Sequence, residues 1–192
     1  IPVTIKCRTG VDDNDDYEFL KSFISTVKDS GVKTFIIHAR KGILKGLSPR
    51  QNRNIPPLNY QKVYSIKDDF PELEIIINGG IKTISEAKNH LTYVDGVMLG
   101  RAAYDDPFML SDIDSEIYSN TKVELSRKDI LAEYLDYVHV MTKKGYDPKV
   151  MLKHVFGLKK GEKDAKRFRV KVAEIMNSSS VVENKDELLS MV

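Results

Sequence analysis

The chain has 192 residues, of which 41% are hydrophobic and 30% are charged, so it carries enough apolar side chains to bury a core. These values exclude a disordered or fibrous protein, and no apolar run approaches the roughly 20 residues that a membrane-spanning helix needs. A single cysteine, Cys7, excludes an internal disulfide framework and a cysteine-rich metal site. We therefore expect neither a membrane segment nor a metal centre.

Predicted strands and helices alternate along the first hundred residues. Apolar residues from Phe19 to Val27 recur at helical spacing, a long loop runs to Pro57, and Ser85 is the expected cap of a later helix. Strand patterns lie at 3–8, 34–40, 74–77 and 96–99. Four parallel strands with intervening helices make half of a (β/α)8 TIM barrel. Half a barrel leaves two unpaired sheet edges, so we expect another half to complete it.

Two of these strands end in glycine beside a polar or cationic side chain. Asn78, Gly79 and Gly80 follow the third strand, and Gly100 and Arg101 follow the fourth. Because parallel strands end on the same rim, their bare N–H groups form a nest that suits a phosphate. Tight turns that need glycine for positive φ explain either motif alone equally well. The two motifs together predict a phosphate-bearing cofactor.

After Pro107 the sequence predicts only amphipathic helices. Ser126, three residues before Asp129, resembles a capping box at the start of a helix that extends to Met141. Further helices are expected over residues 148–156 and 164–176.

This second part is also the basic part of the chain. Residues 143–171 contain eleven Lys or Arg and three Asp or Glu. Such a cluster is either a solvated helix face or a surface for a phosphate backbone. We expect a β/α domain over residues 1–112 and an all-helical domain over residues 113–192.

Several motifs together carry a family resemblance along nearly the whole chain. In order and spacing they resemble the flavin-dependent tRNA-dihydrouridine synthases, in particular the DusA type, and the loop around Ser48 and Pro49 is the most distinctive of them. The motifs lie at residues 5–10, 36–40, 47–60, 77–81, 96–101, 152–158 and 165–169.

The resemblance implies FMN-dependent, NADPH-driven reduction of a D-loop uridine in tRNA to 5,6-dihydrouridine. It places a lysine beside the flavin ring, where a cation stabilises the reduced state. The implied FMN contacts are Lys6, His38, Asn78, Gly79, Gly80, Gly100 and Arg101. The implied tRNA contacts are Arg50, Arg53, Lys166 and Arg169.

Each of these residues also has an ordinary structural interpretation. Lys6 alone is a solvated strand-end lysine, His38 alone is a core histidine, and Arg53 alone is an exposed loop residue. Lys166 departs from the arginine that the family pattern implies, so a point charge replaces a bidentate fork. The resemblance favours the functional interpretation in each case.

The resemblance also implies that the catalytic cysteine of the family lies upstream of this chain. Cys7 is not its counterpart, so we assign no catalytic residue here and expect the chain to be inactive without an N-terminal half-barrel. Two alternatives stay open: a dihydroorotate dehydrogenase-like FMN barrel, and a tRNA-binding module without redox activity. We expect a cytoplasmic location, with an organellar one not excluded.

Overall fold

The computed structural model describes residues 1–121, 123–177 and 184–192. The chain forms two compact units, Ile1–Gly100 and Arg101–Val192. The division into functional domains at residue 112 stays a prediction.

A four-stranded parallel sheet, with its strands in chain order, forms the centre of the first unit. Its strands are β1 (Thr4–Arg8), β2 (Thr34–His38), β3 (Glu74–Asn78) and β4 (Gly96–Met98). Arg8 pairs with His38, His38 with Asn78, and Asn78 with Met98. The last residues of all four strands therefore form one row at the carboxyl edge of the sheet.

The two faces of this sheet differ because side chains alternate along each strand. One face holds Phe35, Ile37, Ile75 and Ile77, all fully buried. The other face carries the polar residues of the row at the carboxyl edge. The predicted α/β architecture with a parallel sheet is confirmed, and the sheet builds the core on one face and offers polar groups on the other.

Four helices accompany these strands, and their caps explain where they begin. They are α1 (Tyr17–Asp29), α2 (Pro49–Asn52), α3 (Tyr60–Asp69) and α4 (Ile84–His90). The predicted cap Ser85 is wrong: Thr83 accepts a hydrogen bond from the Glu86 N–H, and Glu86 accepts one from the Thr83 N–H. Thr83 has the extended backbone that an N-cap needs, whereas Ser85 already lies inside the helix. Helix α2 lies within the segment predicted as loop.

The described residues of the second unit form helices and turns, without a strand. Ser126 caps the helix Arg127–Lys143 as predicted, since its hydroxyl accepts a hydrogen bond from the Asp129 N–H. Short 3-10 helices lie at Pro107–Asp112 and Lys153–Val155. The α-helices are α5 (Arg101–Asp105), α6 (Ile113–Glu116), α7 (Arg127–Lys143), α8 (Pro148–Leu152), α9 (Ala165–Asn177) and α10 (Lys185–Ser190).

Packing between helices α7 to α10 forms the core of this unit. Leu131, Leu135, Phe168, Val172 and Leu188 are all buried in it. Among the helices that the structure describes, none has the length and apolar character that crossing a membrane requires.

Candidate functional site

Polar and cationic side chains surround a cavity at the carboxyl edge of the sheet. The cavity has a volume of about 490 Å³, and it is lined by Lys6, Cys7, Arg8, His38, Arg53 and Asn78. Three of the predicted flavin residues thus lie together with one of the predicted RNA residues. Because β1, β2 and β3 are parallel and in register, their ends bring Lys6, His38 and Asn78 to one rim.

A hydrogen bond between Lys6 and Asn78 crosses this part of the sheet. Lys6 Nζ donates to Asn78 Oδ1 at 2.9 Å, although Lys6 lies on β1 and Asn78 on β3. The other end of the Asn78 amide donates from Nδ2 to the Met98 carbonyl on β4 at 2.7 Å. Asn78 therefore fixes the lysine ammonium group in position relative to the ends of β3 and β4.

Three cationic side chains, Lys6, Arg8 and Arg53, line the cavity, and the pKa values of Lys6 and Arg8 are lowered there. Partial desolvation of the ammonium group lowers the pKa of Lys6, and the charge of Arg8 acts in the same direction. Desolvation, followed by the neighbouring charges of Arg40 and Arg53, lowers the pKa of Arg8. An anionic ligand would relieve this repulsion, so the cavity is suited to a negatively charged group.

Arg8 also joins the strand to the long loop that follows β2. Its Nη1 donates to the carbonyl of Lys41 at 2.8 Å and to the carbonyl of Asn52 at 3.0 Å. The Asn52 side chain accepts from the Ile43 N–H and donates to the Ile43 carbonyl. These bonds define the path of the loop just before Arg53. Arg8 was missed from the sequence, although its position two residues after Lys6 places both side chains on one face.

The glycine turn after β3 is closely packed. Gly79 has a φ of 116° and Gly80 a φ of 76°, both in the region that favours glycine. A Cβ on Gly79 would lie 3.1 Å from His38 Cε1, and one on Gly80 would lie 2.5 Å from Leu58 Cδ1. Tyr60 donates its hydroxyl to the Gly79 carbonyl at 2.9 Å. Both glycines are therefore needed for conformation and for space.

Cys7 has the properties of an inert thiol. It is half-buried, and burial raises its pKa to about 11, so it is protonated at neutral pH. Besides the polar cavity it lines an apolar one, also about 490 Å³, together with Val11, Phe19, Phe23 and Leu44. The charge of Lys6 acts in the opposite direction, but burial outweighs it, so the thiol is not activated as a thiolate.

The remaining predicted residues lie outside the lining of the polar cavity. Gly100 follows β4, and a Cβ there would have no atom within 4 Å. Arg101 is the first residue of α5, and exposed Arg50 lies in α2. On α9, Lys166 and Arg169 are exposed. Their roles stay predictions, as do those of the residues that line the cavity.

The described residues contain no group of three His, Cys, Asp or Glu side chains that could hold a metal ion. The chemistry available at the cavity is therefore that of ammonium, guanidinium, imidazole and amide groups together with backbone N–H groups. Such donors bind anions and planar polar ligands.

Comparisons with known proteins agree with the motifs. Residues 1–191 match the family model described as dihydrouridine synthase (Dus). The tRNA-dihydrouridine(20/20a) synthase of Shewanella oneidensis is 45% identical over 174 residues, which cover 91% of this chain and 52% of that protein. The synthases of the same name from Vibrio cholerae and Pseudomonas putida are 44% identical over 175 residues and 43% identical over 168 residues. These matches cover 91% and 88% of this chain, and 54% and 50% of the two proteins. The chain thus spans about half the length of these relatives.

Proposed function

Since this chain belongs to the dihydrouridine synthase family, we propose that it is the carboxy-terminal portion of a tRNA-dihydrouridine synthase. The proposed reaction is the reduction of a D-loop uridine to 5,6-dihydrouridine, with FMN as cofactor and NADPH as reductant. The observation that carries the proposal is the cavity in which Lys6 is hydrogen-bonded to Asn78 beside His38, next to a glycine turn with positive φ. We also propose that its location is cytoplasmic.

The residues present fit FMN. Its phosphate is a dianion near neutral pH, and backbone N–H groups of a glycine turn are suitable donors for it. The turn at Gly79 and Gly80 has no room for a Cβ on the side of His38 and Leu58, so glycine is required there. Cationic Lys6 and Arg8 are suited to the electron-rich part of the cofactor. We propose that Gly100 and Arg101 add a second phosphate contact.

When bound, FMN would supply a hydride for the pyrimidine ring of the substrate. The side chains of this chain would hold and tune the site. Asn78 keeps the Lys6 ammonium group directed across the sheet, and that positive charge favours a negatively charged ring. Half-buried His38 lies in the same row and contributes a planar polar wall. Since the Cys7 pKa is raised to about 11, Cys7 is not a suitable acid for the substrate carbon.

We propose that tRNA contacts both parts of the chain. On α9, Phe168 is buried while Lys166, Arg167 and Arg169 are exposed, so this helix presents its charges to solvent. Lys and Arg that neutralise backbone phosphates supply most of the non-specific affinity for nucleic acids. Arg53, which lines the cavity, would contact the part of the tRNA nearest the reacting base. These positions support the RNA contacts implied by the family motifs.

We further propose that a second half-barrel packs against the edge of β1. In the described sheet β1 has a single neighbouring strand, so its other edge is open to pairing. Beside it lies the apolar cavity, where the side chains of Phe19 and Phe23 are 41% and 39% exposed. An apolar surface of this kind next to an open strand edge is suited to the packing that closes a barrel. Without that half the chain is expected to be inactive.

A tRNA-binding module without redox activity is the second candidate. The exposed charges of Lys166, Arg167 and Arg169 on α9 favour it, since they could contact a phosphate backbone without any flavin. The dihydroorotate dehydrogenase-like alternative has no comparable support, because the family match is to dihydrouridine synthases over residues 1–191.

The test is a reconstitution with the full-length protein that contains this chain. It should copurify with FMN and, with NADPH, convert uridine to dihydrouridine in unmodified tRNA. Lys6→Met should reduce flavin retention and turnover, because it removes the ammonium group and leaves the apolar stem. Lys21→Met is the matched control. Lys21 does not line the cavity, and its Nζ forms an ion pair with Asp69 Oδ2 at a distance of 2.8 Å. A colourless protein that still binds tRNA would leave only the binding module.

A further inference from the structure

Tyr60 is attached to the glycine turn through a single hydrogen bond. It is the first residue of α3, and its hydroxyl donates to the Gly79 carbonyl at 2.9 Å. Burial, followed by the charge of Glu86, raises the pKa of Tyr60, so the hydroxyl remains a donor at neutral pH. The bond connects α3 to the turn that follows β3.

This bond fixes the direction of one peptide group. A trans peptide is planar, so its C=O and N–H point to opposite sides. With the Gly79 carbonyl held towards Tyr60, the N–H of Gly80 must point away from Tyr60. A Gly–Gly sequence otherwise allows this peptide to rotate easily, because neither residue has a Cβ that restricts it. The hydroxyl therefore supplies an orientation that the two glycines lack.

The Tyr60 ring is part of a cluster of packed aromatic side chains. The rings of His90 and Tyr60 pack edge to face, with centroids 4.4 Å apart and an angle of 66°. His90 is buried, and its Nδ1 lies 2.6 Å from the Tyr64 hydroxyl. Tyr64 in turn stacks on Tyr93 at 4.4 Å. Contacts between rings on α3 and α4 thus hold the Tyr60 ring in place.

We propose that Tyr60 is a positioning residue for the cofactor phosphate, because it orients the Gly79–Gly80 peptide so that the Gly80 N–H is presented to that group. This inference rests on the proposed function, since it assumes that FMN binds at the glycine turn. It adds a residue that acts on the phosphate through its bond to the Gly79 carbonyl.

The test compares two flavins that differ only in the phosphate. Tyr60→Phe removes the hydroxyl and keeps the ring, and the ligand-free full-length protein is titrated with FMN and with riboflavin while flavin fluorescence is followed. Loss of one net hydrogen bond corresponds to about two- to tenfold weaker binding. We expect FMN affinity to fall by this factor and riboflavin affinity to stay unchanged.

Tyr17→Phe is the matched control, because it removes a tyrosine hydroxyl that donates to Asp69 at 2.7 Å instead of to the turn. It should leave both flavin affinities unchanged. Equal losses for FMN and riboflavin in Tyr60→Phe would show a general structural role and overturn the inference, as would no loss at all. Wild-type protein that binds neither flavin would instead overturn the proposed function, and this inference with it.

Discussion

Gly80→Ala tests directly whether the turn after β3 is built around glycine. Gly80 has a φ of 76°, and a Cβ in this region costs about 1–2 kcal/mol. The new carbon would also lie 2.5 Å from Leu58 Cδ1 and 2.9 Å from Tyr60 Oη, so both side chains must shift. Because both atoms are the ends of side chains, which can move, the collision costs about 1–2 kcal/mol, in the lower part of the range for overpacking. The free energy of unfolding should therefore fall by about 2–4 kcal/mol.

The matched control is Gly31→Ala, since Gly31 has a φ of 94° and no atom within 4 Å of an added Cβ. It has the same backbone penalty without the collision, so we expect a loss of about 1–2 kcal/mol. Urea denaturation of the ligand-free full-length protein, followed by circular dichroism, measures both values. FMN affinity should fall at least about tenfold in Gly80→Ala alone. Equal destabilisation by the two variants, with equal FMN affinity, would refute the reasoning.

Three further predictions concern thiol reactivity, helix capping and tRNA binding. With its pKa raised to about 11, Cys7 should react with iodoacetamide far more slowly at pH 8 than an ordinary thiol, and its rate should rise about tenfold per pH unit up to about pH 11. Thr83→Ala should lower the free energy of unfolding by about 1 kcal/mol, whereas Ser85→Ala should change it by less than about 0.5 kcal/mol. Reversal of Lys166 and Arg169 to glutamate should weaken tRNA binding and make its salt dependence less steep, while flavin content stays the same.

Each of these predictions has an outcome that contradicts it. Alkylation of Cys7 at pH 8 as fast as that of a free thiol would mean that the sulfur is exposed and ionised. An equal fall in the free energy of unfolding in Thr83→Ala and Ser85→Ala would mean that Thr83 is not the cap. For the tRNA experiment, substitution of the exposed lysines Lys33 and Lys88 by glutamate controls for the change in net charge. An equal loss of affinity in that variant would mean that the charges on α9 are only a solvated helix face.

Much of the first unit was predictable because its signals are local. A run of apolar β-branched residues, a glycine at its end and a helical pattern after it identify each strand and its connection. The choice of Ser85 over Thr83 failed for a physical reason. Both residues have a hydroxyl, and only the backbone conformation decides that Thr83 precedes the helix while Ser85 lies within it. The short helix α2 was missed because its four residues give no detectable period.

The candidate site was predictable only in part. Lys6, His38 and Asn78 were indicated by strand ends and family motifs, and the structure brings them to one cavity. The contacts of Arg8 with two loop carbonyls, and of Tyr60 with the Gly79 carbonyl, depend on how residues far apart in sequence meet in space. Side chains that bond to backbone carbonyls leave no pattern of residue types, so such contacts could not be predicted from one sequence.

The order of side chains along β1 links the site to the core. Lys6 and Arg8 share one face of the strand, and Cys7 between them takes the other face, which continues into fully buried Ile37 and Ile77. A shift of register by one residue would turn both charges towards the core and the apolar side chains towards the cavity. Burying two unpaired cations costs several kcal/mol each, so this shift is strongly disfavoured. The register that forms the core therefore also fixes both cations at the cavity, before any ligand binds.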